Sequence, residues 1–182
     1  QEEAEKRLNI STADRVFVAG STHEGEEKII LDVYQRLLKK YPDFKMIIIP
    51  RHPERGQEVL KLVKESGFDD CITMTEINAG RSRTVERIIV IDVIGELFKV
   101  YSLATVVFCG GSLVPKGGQN IVEPAAWGKV IFYGPSMDDF REEKELLEKT
   151  GAGIAVENGD ELLDGFSALM SDHADRVKRG EE

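Results

Sequence analysis

The chain contains 182 residues, with 24 lysines and arginines against 33 aspartates and glutamates, so its formal net charge at pH 7 is −9. One folded globular domain is expected from this length and from 41% hydrophobic beside 31% charged residues. The acidic balance argues against nucleic-acid binding, and no apolar run is long enough to predict a membrane-spanning helix. Cys71 and Cys109 both lie in apolar stretches, which supports neither a disulfide scaffold nor a zinc site and indicates a reducing, cytoplasmic compartment.

Short apolar runs alternate with longer amphipathic stretches, a pattern typical of βα units that build a parallel sheet. Six strands are predicted: Val16–Ala19, Lys45–Ile49, Cys71–Met74, Ile88–Ile91, Ala104–Cys109 and Val130–Phe132. A seventh is possible at Gly153–Val156. Apolar and polar residues do not alternate within these runs, as expected of strands that helices cover on both faces. The sequence therefore predicts one α/β domain with a Rossmann-like, doubly wound parallel sheet.

The helices are placed by their capping residues. After the first strand, Ser21 and Glu24 fit a capping box for a helix that ends before Pro42. The later helices are predicted at Glu54–Ser66, Ile94–Leu103, around Pro124–Trp127, at Asp138–Thr150 and at Asp160–Met170. Gly67 and Gly151 are predicted to close two of them as glycine C-caps. The polar segment Ile77–Arg87 is predicted to be a mobile loop.

Ligands of open α/β sheets bind at the carboxyl ends of the strands, where loops lead into helices. The loop of residues 110–124 is the most unusual one, because it carries two glycine pairs, 110–111 and 117–118, and Lys116. Glycines let backbone amides approach an anion, and Lys116 could add a full charge. The alternative interpretation is that these glycines only form turns.

Asn120 and Glu123 follow at the mouth of a predicted helix. A carboxylate beside a glycine-rich loop suits the hydroxyl groups of a ribose, which points to a nucleotide with its phosphate on the loop amides. The alternative is a capping role, in which Pro124 takes the first helical position and Glu123 is the cap.

Three other loops carry candidate residues. Arg51 and His52 follow the second predicted strand and could bind a phosphate or a carboxylate, or could simply be solvated. Gly95 lies where a helix is predicted to begin and permits close approach of a ligand, whereas the neighbouring Asp92 and Glu96 are equally consistent with capping.

The loop after the first strand offers Ser21 and Thr22 beside Gly20 as N–H and hydroxyl donors. Common signatures are missing: the sequence contains no GxGxxG, no Walker GxxxxGK[ST], no HExxH and no GxSxG.

Taken together, these loops resemble the C-terminal half of the bacterial 3-deoxy-D-manno-octulosonic acid (Kdo) transferases. The matching segments stand in order: GSTHEGE at Gly20–Glu26, PRHPE at Pro50–Glu54, DVIGEL at Asp92–Leu97, GGSLVPKGGQNIVEP at Gly110–Pro124 and YGP at Tyr133–Pro135. The glycine-rich GGS…GGxNxxEP segment is the specific part. The chain departs from the family at Gln119, where histidine is usual, and at Val93, where threonine is usual. No side-chain role is carried over at these two positions.

The resemblance implies the C-terminal half of a GT-B glycosyltransferase that binds CMP-Kdo. The implied whole protein transfers Kdo with inversion to the lipid A precursor, in lipopolysaccharide synthesis at the cytoplasmic face of the inner membrane. Residues 15–170 would be the donor-binding domain, residues 1–14 a polar interdomain segment and residues 171–182 a polar end. The general base is expected in an N-terminal half, so this chain alone is expected to bind donor without transferring it. The chain is expected to bind no metal, no cofactor and no nucleic acid, and it is not expected to insert directly into a membrane.

The resemblance implies that Arg51, the backbone around Ile94 and Gly95, and Asn120 with Glu123 line the CMP site, while Arg51 and Lys116 are candidates for balancing phosphate charge. The predicted donor-binding residues from loops and resemblance together are Ser21, Thr22, Arg51, His52, Ile94, Gly95, Glu96, Gly110, Gly111, Ser112, Lys116, Gly117, Asn120 and Glu123. None of them is assigned to the Kdo carboxylate.

Two other functions are compatible with the sequence. One is the donor domain of a different GT-B enzyme, such as a UDP-sugar transferase or a 2-epimerase. The other is a stand-alone nucleotide-binding module without catalysis. A preference for uridine over cytidine nucleotides would distinguish the first function from that of a Kdo transferase. The complete reading frame would distinguish the second, because it shows whether an N-terminal half is present.

Overall fold

The computed structural model describes residues 1–172 and 177–180. The strands are β1 Val16–Thr22, β2 Lys45–Pro50, β3 Cys71–Thr73, β4 Ile88–Val90, β5 Val106–Cys109, β6 Ile131–Tyr133 and β7 Gly153–Ala155. The α-helices are α1 Glu2–Leu8, α2 Glu26–Leu38, α3 Gly56–Glu65, α4 Met74–Asn78, α5 Leu97–Tyr101, α6 Val122–Ala125, α7 Arg141–Thr150 and α8 Gly159–Ser171. Short 3₁₀ turns at Pro53–Arg55 and Asp138–Phe140 lead into α3 and α7.

The strands form one seven-stranded sheet in the order β3-β4-β2-β1-β5-β6-β7. Every neighbouring pair is parallel. The order reverses direction next to β1, at the centre of the sheet, as in doubly wound folds. All six predicted strands are present, together with the possible seventh, so the predicted α/β architecture is confirmed.

Helices cover both faces of the sheet, and each face has its own hydrophobic core. On one face, α2, α3 and α8 bury large side chains such as Tyr34 and Phe166 against the sheet. On the other face, α1 and α5 contribute Leu8 and Tyr101, and α6 packs at the edge of that core. Five of the seven strands, β1, β3, β4, β5 and β6, bury every residue because helices cover both faces, which explains their uninterrupted apolar character.

The capping box predicted for α2 is wrong. Strand β1 continues through Thr22, past a bulge at Ser21, whose φ of 54° is unusual for a residue with a side chain. The N-cap of α2 is Gly25 at φ 96°, without a side-chain cap. A related hydrogen bond exists two residues later in the sequence, because the His23 N–H donates to Glu26 Oε2 at 2.9 Å.

Two short helices are absent from the prediction. Residues 1–14, predicted as a polar segment, contain α1, and Leu8 and Ile10 are buried in the core. The other is α4, which Thr73 begins with a capping box to Glu76. Whether residues 1–14 form a domain boundary stays a prediction.

The segment Ile77–Arg87 is not a free loop. It begins inside α4, and Arg83 is only 5% exposed. The Arg83 guanidinium donates to the carbonyl oxygens of Leu8, Asn9 and Glu86 at 2.6–3.0 Å. This buried arginine therefore fixes both the segment and the end of α1, which corrects the prediction of mobility.

The two predicted glycine C-caps are confirmed. Gly67 has a φ of 88°, and the N–H of Phe68 donates to the Val63 carbonyl, as in a Schellman motif. Gly151 closes α7 at φ 78°. Of the predicted polar end 171–182, residues 173–176 and 181–182 lie outside the described residues. Across the described part of the chain, none of the helices has the length and apolarity that a bilayer crossing requires.

Candidate functional site

The loops that carry the predicted residues meet at one edge of the sheet. Strands β4, β2, β1 and β5 are consecutive neighbours, and all of them are parallel. Their carboxyl ends therefore lie side by side, and the loops that follow them form one continuous surface. The sheet order thus brings together candidates that stand as far apart in sequence as Ser21 and Glu123.

The glycine-rich loop is held from below by a buried carboxylate. Glu26, which is fully buried, accepts hydrogen bonds from the backbone N–H groups of Gly111, Ser112 and Leu113 at 2.7–2.9 Å. A fourth bond comes from the N–H of His23. These amides form an anion-binding concavity, and Glu26 occupies it. The interpretation that they bind a phosphate is therefore wrong for this conformation.

Ser112 also faces inward. Its side chain is fully buried, and its hydroxyl donates to the Cys109 carbonyl at 2.5 Å and accepts from the Gly134 N–H at 2.8 Å. Both capacities of the hydroxyl are used within the protein. The structure places Ser112 as a tie between the glycine-rich loop and the end of β6.

The glycines of the loop are required by close backbone contacts. A Cβ on Gly110 would lie 2.4 Å from the Ser21 carbonyl oxygen and 2.6 Å from the Thr22 Cα. Gly111 and Gly117 have φ values of 67° and 77°, and Gly117 donates its N–H to Ser136 Oγ. The close approach expected of these glycines is made to other parts of the chain.

Beside Glu26, a second buried glutamate connects β1 to α3. Glu27 is 1% exposed, and its Oε1 accepts from the Thr22 hydroxyl at 3.1 Å and from Arg55 at 2.7 Å. Its other oxygen, Oε2, is buried without a hydrogen-bond partner among the described residues. Thr22 is itself fully buried, so its hydroxyl is oriented by Glu27.

Four cationic or titratable side chains gather above these glutamates: His23, Arg51, His52 and Lys116, called the cation cluster below. The rings of His23 and His52 meet edge to face with 5.9 Å between their centroids. Within the described residues, neither Arg51 nor Lys116 forms an ion pair or a side-chain hydrogen bond, whereas His52 lies 3.7 Å from Glu54. The unpaired cations therefore give this place a local positive charge on a chain of net charge −9.

The charges within the cluster act on His23. Burial lowers the pKa of His23, and the positive charges of His52, Lys116 and Arg51 lower that pKa further, while Glu27 opposes them. Without an anion nearby, His23 is thus biased toward its neutral form. Sequence reasoning missed His23 as a site residue, although it stands within the matched GSTHEGE segment.

Asn120 and Glu123 lie on the opposite side of the glycine-rich loop, next to α6. Asn120 Oδ1 accepts from the Val122 N–H at 2.9 Å, and Asn120 Nδ2 donates to Glu123 Oε1 at 3.3 Å. Pro124 is the third residue of α6, and Glu123 makes no cap, so the predicted capping role of Glu123 is wrong. The Glu123 carboxylate is only partly buried and could accept from a ligand hydroxyl.

The loop between β4 and α5 borders the same side. Gly95 has a φ of 91° with open space around it, and the neighbouring Ile94 is 88% exposed. Glu96 is held by Arg7 of α1 at 2.7 Å. Asp92 does not cap the following helix, as one interpretation had it, but accepts from the Thr75 N–H at the start of α4.

The surface thus has two sides. Asn120, Glu123, Ile94 and Gly95 adjoin α5 and α6, which pack on one face of the sheet. The cation cluster adjoins α2 and α3 on the other face. In the described ranges, no three histidine, cysteine, aspartate or glutamate residues are grouped so as to hold a metal ion.

No protein-family model matches the chain. Among curated proteins, it is 34% identical over 167 residues to a 3-deoxy-D-manno-octulosonic acid transferase of Aquifex aeolicus, covering 92% of this chain and 45% of that protein. It is 33% identical to the transferase of the same name from Haemophilus influenzae, covering 91% of this chain and 38% of that one. The chain spans less than half the length of these relatives.

Among solved structures, the C-terminal CMP-Kdo binding domain of WaaA from Acinetobacter baumannii superposes with a TM-score of 0.87 at 25% identity, covering 99% of this chain and 93% of that one. The S. aureus MnaA-UDP structure superposes with a TM-score of 0.59 at 14% identity, covering 100% of this chain and 42% of that one, which shows a shared fold alone. The chain is therefore homologous to the C-terminal part of Kdo transferases and has the GT-B fold of the CMP-Kdo binding domain of WaaA.

Proposed function

We propose that this chain is the domain that binds the nucleotide-sugar donor CMP-Kdo in a Kdo transferase. The observation that carries the proposal is the agreement, over nearly the whole chain, with the CMP-Kdo binding domain of WaaA. The two-sided surface at the carboxyl edge supports it, because a nucleotide sugar has a neutral nucleoside at one end and negative charge near its centre.

The nucleoside is proposed to lie on the side of Asn120 and Glu123. The Glu123 carboxylate is only partly buried and would accept hydrogen bonds from the ribose hydroxyls. The backbone around Ile94 and Gly95 is open, so a flat base could rest against it. This assignment extends the sequence-based prediction that Glu123 binds the hydroxyl groups of a ribose.

The negative charge of the donor is proposed to lie over the cation cluster. Because Glu26 already satisfies the amides of the glycine-rich loop, the charge of the phosphate has to be met by side chains. Arg51 and Lys116 are the two unpaired cations at this place, and Arg51 has the planar fork that suits a phosphate. These two residues would also stabilise the departing CMP during transfer.

For the whole protein, we propose transfer of Kdo with inversion to the lipid A precursor at the cytoplasmic face of the inner membrane. An acceptor hydroxyl, deprotonated by a carboxylate outside this chain, would form a bond to the anomeric carbon while the bond to the CMP phosphate breaks. We expect the 182-residue chain by itself to bind CMP and not to transfer Kdo.

Thermal unfolding with added nucleotides tests the proposal. A ligand at about 100 times its Kd stabilises by about 2.7 kcal/mol, which corresponds to a rise in Tm of roughly 5–11 °C for a domain of this size. We expect CMP to give such a rise and UMP or a UDP-sugar to give much less. Equal stabilisation by UMP would contradict the cytidine preference, and stabilisation by UDP-sugars alone would favour a different GT-B enzyme.

A further inference from the structure

The donor that the proposed function requires carries two negative charges close together. In a CMP-activated ulosonic acid, the anomeric carbon bears both the bond to the phosphate and a carboxylate. CMP itself lacks this carboxylate, and its second negative charge lies on the phosphate. A site for such a donor therefore needs a cationic group placed for the carboxylate, apart from those that bind the phosphate.

Resting on that proposed function, we propose that His23 is a specificity-determining residue that binds the sugar carboxylate of the donor as an imidazolium. Its position supports this role. The nucleoside side of the surface adjoins α5 and α6, whereas His23 lies between β1 and α2, across the glycine-rich loop. A donor that extends from Glu123 over this loop brings its sugar end to His23, beyond the phosphate.

The surroundings orient the His23 ring without forming an ion pair with it among the described residues. Its backbone N–H is fixed by Glu26, and its Nε2 lies 3.4 Å from the side-chain nitrogen of Gln119. His52 stacks edge-on against the ring, and a Cβ on Gly111 would come within 3.3 Å of His23 Cδ2. The imidazole is thus held in place, half-buried, beside the unpaired Arg51 and Lys116.

Protonation of His23 should accompany binding. The charged or titratable groups that act on it are His52, Lys116 and Arg51, which oppose its protonation, and Glu27, which favours it. Thr22 and Arg55 donate to Oε1 of Glu27, and its Oε2 is buried without a hydrogen-bond partner among the described residues. A carboxylate from the donor would outweigh the opposing cations, so the imidazole would take up a proton when the donor binds.

The test compares CMP-Kdo with CMP on the 182-residue chain, by calorimetry at pH 6.5, in wild type and His23→Gln. We expect the variant to bind CMP-Kdo about 10-fold more weakly, as fits the loss of one charge-assisted hydrogen bond, and CMP less than 2-fold more weakly. Glu24→Gln is the control, because Glu24 is adjacent and exposed. Its affinities should match those of wild type.

A second readout separates a contact with the carboxylate from a merely structural role. Titrations of CMP-Kdo in buffers of different ionisation enthalpy should show proton uptake by wild type and none by His23→Gln. The affinity of wild type for CMP-Kdo should also fall as the pH rises from 6 to 8, because the free protein must be protonated to bind. This arm uses CMP-Kdo alone, since the phosphate of CMP titrates near pH 6 itself.

Equal weakening of CMP and CMP-Kdo in His23→Gln would overturn the inference, because the contact would then be with the nucleotide. An unchanged affinity for CMP-Kdo, or no proton uptake by wild type, would overturn it as well. Failure of wild type to bind either compound would instead refute the proposed function, so the two failures are distinguishable.

Discussion

Glu26 shows how a single residue decides what a glycine-rich loop can do. Four backbone N–H groups converge on its buried carboxylate, so a side chain of the protein itself occupies the position that an anionic ligand would take. The sequence correctly predicts that the amides of this loop bind an anion. The prediction assigns that anion to a ligand, whereas in the structure it is the Glu26 carboxylate. The available signal was a pair of glutamates, Glu26 and Glu27, directly after the loop that follows a buried strand.

Replacement of Glu26 by glutamine should destabilise the fold. An amide of the same shape cannot accept from all four N–H groups, and its own NH₂ would face some of these donors. We expect a loss of about 2–4 kcal/mol, or roughly 4–16 °C in Tm, measured by thermal and urea unfolding.

Glu24→Gln is the matched control for this variant, since Glu24 is exposed, and its stability should stay within about 0.5 kcal/mol of wild type. A Glu26→Gln protein as stable as the control would mean that the four bonds do not hold the loop.

Replacement of Glu123 should have the opposite effects to replacement of Glu26, with little change in stability and a large change in ligand binding. Because it makes no cap on α6, Glu123→Ala should leave the Tm without ligand within a few degrees of wild type while it abolishes most of the stabilisation by CMP. The measurement is the shift in Tm on CMP addition, with Glu145→Ala at an exposed position of α7 as the control. A large loss of intrinsic stability with an unchanged CMP shift would identify Glu123 as structural.

At the scale of elements, the sequence predicts what is long or deeply buried and misses what is short. The strands are found because both faces are covered, which removes polar residues from them. Helix α4 has only five residues, so its capping box from Thr73 to Glu76 was its one signal. Helix α1 is missed because its surface is highly charged and only Ala4 and Leu8 reach the core from within it.

The bulge in β1 explains the misplaced start of α2. Ser21 and Glu24 have the spacing of a capping box, but sheet pairing extends to Thr22 and takes precedence over the local preference. Sequence alone does not reveal such a bulge, because its positive φ at Ser21 is imposed by tertiary contacts.

Arg83 links α1 to the segment Ile77–Arg87, a contact that the sequence did not predict. Replacement by alanine would leave the carbonyl oxygens of Leu8 and Asn9 without their donor and create a void beneath the end of α1. We expect a loss of about 2–4 kcal/mol and faster amide hydrogen exchange in α1, followed by mass spectrometry.

Arg81→Ala is the comparison, because the Arg81 side chain is about half exposed and forms its ion pairs with Glu76 and with the buried Glu86 and not with α1. That loss should be within about 1 kcal/mol. Unchanged exchange in α1 of Arg83→Ala would refute the link.

At the scale of the whole molecule, the site arises from strand order, which the sequence leaves open. The prediction placed the candidate loops at the carboxyl ends of strands, but only the order β4-β2-β1-β5 makes them neighbours. The two sides of the surface follow from the faces of the sheet on which the helices pack, α5 and α6 on one face and α2 and α3 on the other. Local sequence patterns predict which residue types follow each strand. The crossover connections, which place helices on the two faces of the sheet, determine how those residues are arranged in space.

The acidic composition has a consequence for the stability of the whole chain at low pH. Hydrogen bonds from the N–H of Thr84 and from Arg81 hold the pKa of Glu86 at about 2, and the Thr73 N–H lowers the pKa of Glu76. A carboxyl whose pKa is lower in the folded state stabilises the fold above its unfolded value of about 4.3. That contribution is lost as the pH falls from about 5 toward 2.

We therefore expect Glu86→Gln to have a lower Tm than wild type at pH 7, and we expect this difference to shrink steadily between pH 5 and pH 2 as Glu86 becomes protonated in wild type. Melting curves at intervals of one pH unit measure it, with Glu145→Gln as a control that removes the same charge from an exposed position. Because both variants change the net charge of −9 equally, the general repulsion among 33 acidic residues cancels between them. A difference between the two variants that stays constant with pH would show that Glu86 acts through shape and not through its charge.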